Sequence, residues 1–146
     1  MARKSQNKGA SGEREVINLL NERLNTSLER NPYRQQKEAG HYDVVGLDWL
    51  ALEVKRYKTA SQAQVNGWFT EAIMQAHADQ LPVLAYRADR QDWRFVVPFN
   101  FLQHGFGGYP CRNQYDHEPV ELHLRGFCAL LKRNVMDYPP TEDLLK

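Results

Sequence analysis

The feature that most constrains this chain is residues 43–55, an acidic residue followed by two short apolar runs that end in a Glu-x-Lys motif. The β-branched and aliphatic residues on either side of Asp48 predict two short strands joined by a tight hairpin. Because side chains alternate between the faces of a strand, we expect Glu53 and Lys55 on one face of the second strand. If Asp43 lies level with them on the first strand, two carboxylates and an ammonium group converge on one volume.

These three groups are suited to a divalent-metal centre. Mg²⁺ prefers hard oxygen ligands and takes one or two protein carboxylates in addition to water and substrate phosphate. A neighbouring lysine can orient or help deprotonate an attacking water, and it offsets charge on the phosphate. The alternative is a solvated hairpin with a cross-strand ion pair, because 18 acidic residues make this spacing common by chance.

Glu13 is a third carboxylate that fits the same interpretation. Ser11 is a plausible N-cap, and the apolar stripe through Ile17, Leu20 and Leu24 predicts a helix over about residues 13–29. Glu13 precedes Ile17 by four residues and so lies on that stripe, where a carboxylate is costly unless a cation meets it. Either the helix dipole and nearby solvent stabilise Glu13 in the first turn, or the helix packs on the sheet and directs Glu13 at the metal.

Residues 8–15, the helix behind them, Asp43 and the Glu53-Val54-Lys55 segment together resemble the archaeal-type Holliday junction resolvases of the PD-(D/E)xK nuclease superfamily. The similarity covers about residues 6–97. The resemblance implies that the metal ligands are Glu13, Asp43 and Glu53, that Lys55 is the catalytic lysine, and that a homodimer is the working unit. The chain departs from the superfamily pattern at Tyr42, where a proline often precedes the aspartate, and it has His41 near the site.

The remaining periodic segments predict an α/β sandwich with a mixed central sheet flanked by helices, in the order α-β-β-β-α-β-β. The predicted elements are an edge strand at 33–37, a helix at 62–80 with Ser61 near its start, strands at 82–86 and 93–97, a further strand at 120–124 and a short helix at 127–132. This order is that of the restriction-endonuclease-like core which the resemblance implies. Gln75 falls beside the apolar stripe of the second helix and is interpreted as a surface residue, although related nucleases have a glutamine of this helix near the site. We therefore expect a flexible basic arm at 1–10, the nuclease core at 11–103, and an extension at 104–146 that packs on the same domain.

Composition favours one globular domain of a cytoplasmic protein. The chain has 146 residues, 42% of them hydrophobic, and no stretch approaches the roughly 18 apolar residues of a membrane span. The amino terminus has no apolar run behind its basic residues, so no secretory signal is expected. Two cysteines cannot form a disulfide framework, which agrees with the reducing cytoplasm of a prokaryote, or of a host cell if the protein is viral.

Basic residues are concentrated in the first part of the chain. Residues 1–60 contain 11 Lys and Arg against 8 Asp and Glu, whereas residues 61–146 contain 8 against 10, for a net charge of +1. If three of the early acids surround a cation, the rest of that segment is distinctly basic and suits a DNA backbone. The candidates for phosphate contacts are Arg3, Lys4, Lys8, Arg34, Lys37, Arg56 and Lys58. Each of them is equally compatible with an ordinary solvated surface.

A zinc site is a weaker hypothesis, which would draw on His104, Cys111, His117, His123 and Cys128. These residues lack the close spacing of structural zinc ligands. We interpret them as loop histidines and buried thiols.

The sequence thus predicts a Mg²⁺-dependent endodeoxyribonuclease, with Mn²⁺ as a possible substitute, that acts on four-way DNA junctions as a homodimer. We expect the dimer surface in the apolar residues 93–101 together with the carboxy-terminal segment. One alternative is a restriction-like or repair endonuclease of the same superfamily that cuts linear or damaged duplex. Another is a non-catalytic nucleic-acid-binding module in which the acidic residues are structural.

Overall fold

The computed structural model describes residues 2–33, 42–77, 79–104 and 117–133, with the backbone alone for residues 2–8 and 104. The elements are α1 (Ala2–Leu24), β1 (Glu29–Arg30), β2 (Val44–Val45), β3 (Leu50–Tyr57), α2 (Gln62–Gln75), β4 (Leu81–Ala88), β5 (Arg94–Pro98), α3 (Phe99–His104), β6 (Pro119–His123) and α4 (Leu124–Leu131). The strands of this part of the chain form one sheet in the order β1-β2-β3-β4-β5-β6. Its pairs are antiparallel except for β3 and β4, which are parallel and are joined through α2. The predicted α/β fold with a mixed sheet is confirmed.

Helices cover both faces of the sheet, and the alternation in β3 separates core residues from site residues. Leu50, Leu52 and Val54 belong to the larger hydrophobic cluster, which also contains apolar residues of α1 and α4. A smaller cluster joins α2 to β4 and β5 on the opposite face. Glu53 and Lys55 alternate with the core residues of β3, so they face the α2 side of the sheet.

Residues 2–10, which were expected to form a flexible arm, are helical and form the first turns of α1. Ser11 therefore lies inside the helix, where its hydroxyl accepts a hydrogen bond from Arg56, and is not the N-cap. Each glycine destabilises a helix by about 1 kcal/mol relative to alanine. Gly9 and Gly12 therefore led the sequence analysis to predict a flexible segment here. At Gly12 the glycine allows close packing, because a Cβ there would lie 3.0 Å from Cβ of Arg56 and 3.5 Å from the Trp93 ring.

Helix α1 ends at Leu24, five residues before the predicted end. Asn25 adopts a left-handed conformation with φ 54°, and the side-chain oxygen of Asn21 accepts hydrogen bonds from the Leu28 N–H at 2.7 Å and the Thr26 hydroxyl at 2.8 Å. This turn leads into β1, so the edge strand lies at Glu29–Arg30. The predicted edge strand at 33–37 is wrong at Tyr33, which lies in a turn, and its residues 34–37 lie outside the described residues.

Gly46 follows β2 with a backbone conformation that other residues rarely adopt, φ +135°. A Cβ at this position would lie 2.9 Å from Cα of Leu28, too close for any real contact. We therefore expect Gly46→Ala to lower the free energy of unfolding by about 1–3 kcal/mol, measured by urea denaturation. The matched control is Gly67→Ala in α2, where a Cβ meets nothing within 4 Å and should add up to about 1 kcal/mol of stability. Equal effects of the two substitutions would contradict this account.

The carboxy-terminal half follows the predicted pattern more closely. Helix α2 begins after Ser61, whose side chain forms a capping box with Gln64, and ends at Gln75 instead of residue 80. Strands β4, β5 and β6 lie close to their predicted positions, and α4 buries Phe127 and Leu131 as expected. The Phe127 ring stacks on Phe95 at a centroid distance of 4.5 Å. Helix α3 was not predicted, because its six residues are too few to show a clear period.

Most of the apolar residues expected at a dimer surface are instead part of the protein's own core. Trp93, Phe95, Val97 and Phe101 are all 5% exposed or less, whereas Phe99 is 43% exposed. The premise that residues 93–101 present a continuous apolar surface is therefore wrong, since most of β5 and α3 packs inward beneath α1 and α4. No helix among the described residues is both long enough and apolar enough to cross a membrane.

Candidate active site

Asp43 lies directly before β2 and is held on both sides by backbone hydrogen bonds. Its N–H donates to the Leu52 carbonyl at 3.1 Å, and its carbonyl accepts from the Asn31 N–H at 2.9 Å. Val44 pairs with Leu52 across the antiparallel strands, which places Asp43 level with Glu53. The Asp43 carboxylate also accepts a hydrogen bond from the Val54 N–H at 2.8 Å. Asp43 therefore lies level with Glu53, which is the position that the hypothesis of a metal centre needs.

Tyr42 anchors this segment from the other side. Its hydroxyl accepts a hydrogen bond from the Gln80 side chain at 2.8 Å, and its carbonyl accepts one from the Asn31 side chain at 2.7 Å. Gln80 also donates to the Asp48 carbonyl at 2.9 Å, so one buried amide connects both ends of the β2–β3 hairpin. In the superfamily pattern a proline often stands at the position of Tyr42, and its ring restricts the backbone. In this chain the hydrogen bonds of Tyr42 restrict the backbone instead.

Glu53 is 4% exposed and shares a hydrogen bond with Asp43. Burial raises the pKa of the Glu53 carboxyl to about 9, and the negative charge of Asp43 adds to the effect. Burial also raises the pKa of Asp43, to about 6, against the opposing hydrogen bond from Val54. Two neighbouring carboxylates with little access to water resist ionising together, and a cation beside them favours the ionised pair.

These shifts predict how the stability of the metal-free protein depends on pH. Because the folded protein holds a proton on Glu53 that the unfolded chain releases near its ordinary pKa of 4.5, the free energy of unfolding should fall as pH rises from there toward about 9. At pH 8 with a chelator, Glu53→Gln should be more stable than wild type by on the order of 1 kcal/mol or more, because each unit of difference between the folded and unfolded pKa corresponds to about 1.4 kcal/mol. Urea denaturation at pH 5 and pH 8 measures this, and equal pH dependence in the two proteins would contradict it.

Lys55 projects from the same face as Glu53 and meets Glu71 of α2. Its Nζ lies 3.2 Å from the Glu71 carboxylate, and the two side chains are 16% and 30% exposed. Burial lowers the pKa of Lys55, but the carboxylates of Glu71 and Glu53 outweigh burial and raise the pKa above its ordinary value. Lys55 is therefore a fixed ammonium group, suited to donating hydrogen bonds to an anion.

Sequence reasoning missed Glu71. The available signal was an acidic residue beside the apolar stripe of α2, the helix that packs against the strand carrying Lys55. Nothing in the sequence showed which turn of α2 would lie over Lys55.

Glu13 lies near Asp43 and Lys55, and its carboxylate is paired with Arg30. Its carboxylate accepts a hydrogen bond from Nε of Arg30 at 2.6 Å. It lines a cavity of about 180 Å³ together with Gly9, Asp43, Val54, Lys55, Arg56 and Tyr57. In the described ranges no three His, Cys, Asp or Glu side chains are grouped closely enough to hold a metal ion. The structure thus pairs Asp43 with Glu53 and places Glu13 nearby on Arg30, so a ligand role for Glu13 remains a prediction.

The candidate DNA-binding residues are placed in different ways. Arg56 packs toward α1, where its guanidinium lies 3.7 Å from the Glu15 carboxylate, which also accepts from the Trp93 indole at 2.9 Å. Lys58 is exposed just beyond β3. Arg3, Lys4 and Lys8 lie on α1, but their side chains are not described, and Arg34, Lys37 and His41 lie outside the described residues.

Two further predictions concern Gln75 and the zinc candidates. Gln75 is buried, and its Oε1 has no hydrogen-bond partner among the described residues, so the interpretation as a surface glutamine is wrong. Gln75 follows the buried Ala72 by three residues, which places it on the buried face of α2. Cys128 is a buried free thiol, as expected, and Cys111 lies outside the described residues.

A family model described as "Phage putative PDDEXK endonuclease" matches residues 4–108, which include every residue of the candidate site. The chain belongs to this family. Membership in the phage PDDEXK endonuclease family identifies the protein as a PD-(D/E)xK nuclease.

Among solved structures, the chain is similar to Archaeoglobus fulgidus Hjc, a Holliday junction resolvase from an archaeal hyperthermophile. The two share 17% sequence identity with a TM-score of 0.46, over 84% of this chain and 98% of that chain. The search of curated proteins found no match.

Proposed function

We propose that this PDDEXK-family protein is a divalent-metal-dependent endodeoxyribonuclease that cuts branched DNA, with the four-way junction as its substrate. The observation that carries the proposal is the pair formed by the buried Glu53 and the half-buried Asp43 beside the ammonium group of Lys55. The sequence resemblance of residues 6–97 to archaeal-type Holliday junction resolvases supports the choice of substrate.

The donor set fits a hard divalent cation such as Mg²⁺, or Mn²⁺ in its place. Asp43 and Glu53 offer carboxylate oxygens, and because burial raises the pKa of both carboxyls, a cation bound between them would favour their ionised forms. In enzymes that act on phosphate esters, Mg²⁺ is typically bound by one or two carboxylates, and substrate and water complete its coordination. When bound, the ion supplies an activated water and stabilises charge on the phosphate.

The remaining residues prepare the site for a phosphodiester. Lys55 can donate a hydrogen bond to a phosphate oxygen, and the fixed ammonium opposes the negative charge that develops there during attack. Glu71 holds Lys55 against α2, which limits the side chain to few conformations. The hydrogen bonds of Tyr42 and Val54 fix Asp43, so the two carboxylates keep one separation.

A dimer follows from the proposed substrate, since resolving a four-way junction requires two cuts in strands of like polarity, and a two-fold dimer presents two copies of one site. We expect wild-type protein to produce paired nicks symmetric about the crossover, and mixed dimers with one Glu53→Gln subunit to nick one strand only. Denaturing gels of end-labelled junctions and light scattering at the assay concentration measure both. A monomer with unsymmetrical nicks would contradict the assignment of the four-way junction as substrate. The proposal that the protein is a metal-dependent nuclease would still stand.

The experiment that tests the function itself compares cleavage of a four-way junction, a flap and a linear duplex of shared sequence, with Mg²⁺ and with EDTA. We expect cleavage of the junction with Mg²⁺ and none with EDTA. Preferred cutting of the linear duplex would indicate a restriction-like or repair nuclease of the family instead. Binding of DNA without cleavage under every metal condition would indicate a binding module with structural acids.

A further inference from the structure

We propose that Tyr57 and Trp68 form a stacking platform that holds an unstacked DNA base beside the cut site. The inference rests on the proposed function and narrows it, because it makes an unpaired or unstacked base near the scissile phosphate part of what the enzyme recognises.

The two rings form a partly exposed pair at the end of β3. Their centroids lie 5.0 Å apart with an interplanar angle of 16°, so the rings are stacked. Behind them Tyr86 contacts Trp68 at 6.2 Å and 50°. Tyr57 nevertheless remains 40% exposed, although Trp68 and Tyr86 are partly buried against the α2 cluster. The cluster thus supports the Tyr57 ring from below and leaves part of it open to a ligand.

The platform is continuous with the candidate active site. Tyr57 lines the same cavity as Asp43 and Lys55. It follows Lys55 by two residues on one strand face, a separation of about 7 Å along the strand. Trp68 precedes Glu71 by three residues on α2, so the aromatic pair and the Lys55–Glu71 ion pair are neighbours in space. A nucleotide whose phosphate meets Lys55 therefore has its base within reach of the Tyr57 ring.

The surroundings favour a base over a phosphate at this position. A second cavity of about 480 Å³ adjoins the platform and is lined by Lys58, Tyr86 and Arg94. The same cavity has three carboxylates, those of Asp89, Asp92 and Glu121, which oppose the entry of a phosphate group. A neutral base meets no such repulsion, and stacking on an aromatic ring accepts any base, because every base has a π-face.

This arrangement would select distorted DNA. In an intact duplex each base is stacked on both sides, and extracting it costs free energy that is smallest for a mismatched or unpaired base. At the centre of an open four-way junction each base pair lacks a stacking neighbour on one side, so extracting a base there costs less than in a linear duplex. The platform therefore strengthens binding to branched DNA and adds little to binding of a linear duplex.

The test measures DNA binding of the full-length protein in EDTA, where no cleavage occurs. The probes are a four-way junction with two unpaired bases at its centre and a linear duplex of the same length. Tyr57→Leu should weaken junction binding about tenfold and linear-duplex binding less than about twofold. Tyr57→Phe, which keeps the ring, should bind both probes like wild type. Equal weakening on the two probes, or none on either, would overturn the proposal.

A second measurement needs no variant and covers the case in which Tyr57→Leu does not fold. 2-Aminopurine placed at the unpaired position should lose fluorescence on binding to wild-type protein, because stacking quenches it, while the same label within the linear duplex should not change. Unchanged fluorescence at the unpaired position would overturn the proposal. Both readouts are obtained without metal, so absence of Mg²⁺-dependent cleavage would count against the nuclease function and not against the platform.

Discussion

The Glu53→Gln variant is expected to bind four-way junctions at least as tightly as wild type and to cut them at least a hundredfold to a thousandfold more slowly. The amide keeps the size and burial of the side chain but removes the negative charge that would hold a cation. Without metal Glu53 already holds a proton at neutral pH, so the amide adds no repulsion toward the DNA phosphates and binding should not weaken. Asp43→Asn should behave in the same way, since the two carboxylates form one pair. Single-turnover cleavage and electrophoretic mobility shift measure the two properties separately.

The matched control for these variants is Glu22→Gln, an exposed carboxylate on α1 that lies outside the candidate site. It should cut and bind like wild type. Near-wild-type turnover in Glu53→Gln or Asp43→Asn would remove residues 43–55 from consideration as the active site.

Lys55→Met should be inactive for a different reason, with a loss of cleavage of about a hundredfold or more. The substitution removes the ammonium group but leaves both carboxylates, so Mg²⁺ binding measured by calorimetry should be largely preserved. Glu71→Gln should have a smaller effect, because it loosens Lys55 without removing it. Loss of metal binding together with activity would instead mean that Lys55 maintains the structure of the site.

The control for the lysine variant is Lys132→Met, an exposed lysine at the end of α4. It has the same change of charge and should leave cleavage unchanged. Unimpaired cleavage in Lys55→Met would deny that residue a catalytic role.

The residues that local patterns placed correctly are those whose neighbours lie close in sequence. The alternation of residues 50–57 put Glu53 and Lys55 on one strand face, and the break at Asp48 put Asp43 opposite Glu53. Ser61 began α2 as predicted, because a capping box depends on residues only three apart. In each case a fixed repeat or a short turn determines the geometry.

Only the tertiary structure decided which distant groups meet. Arg30 pairs with Glu13 and Glu71 with Lys55 because α1 and α2 pack on opposite faces of the sheet at particular heights, which no local repeat specifies. The burial of residues such as Phe95 and Phe101 likewise depends on α1 and α4 covering β5, and the same apolar pattern would have served an exposed interface. The sequence by itself was enough to predict that Asp43, Glu53 and Lys55 lie close together and that Glu53 and Lys55 share one face of a strand. The partners that neutralise them, and the aromatic pair beside them, come from long-range packing, whose geometry is set by the whole fold.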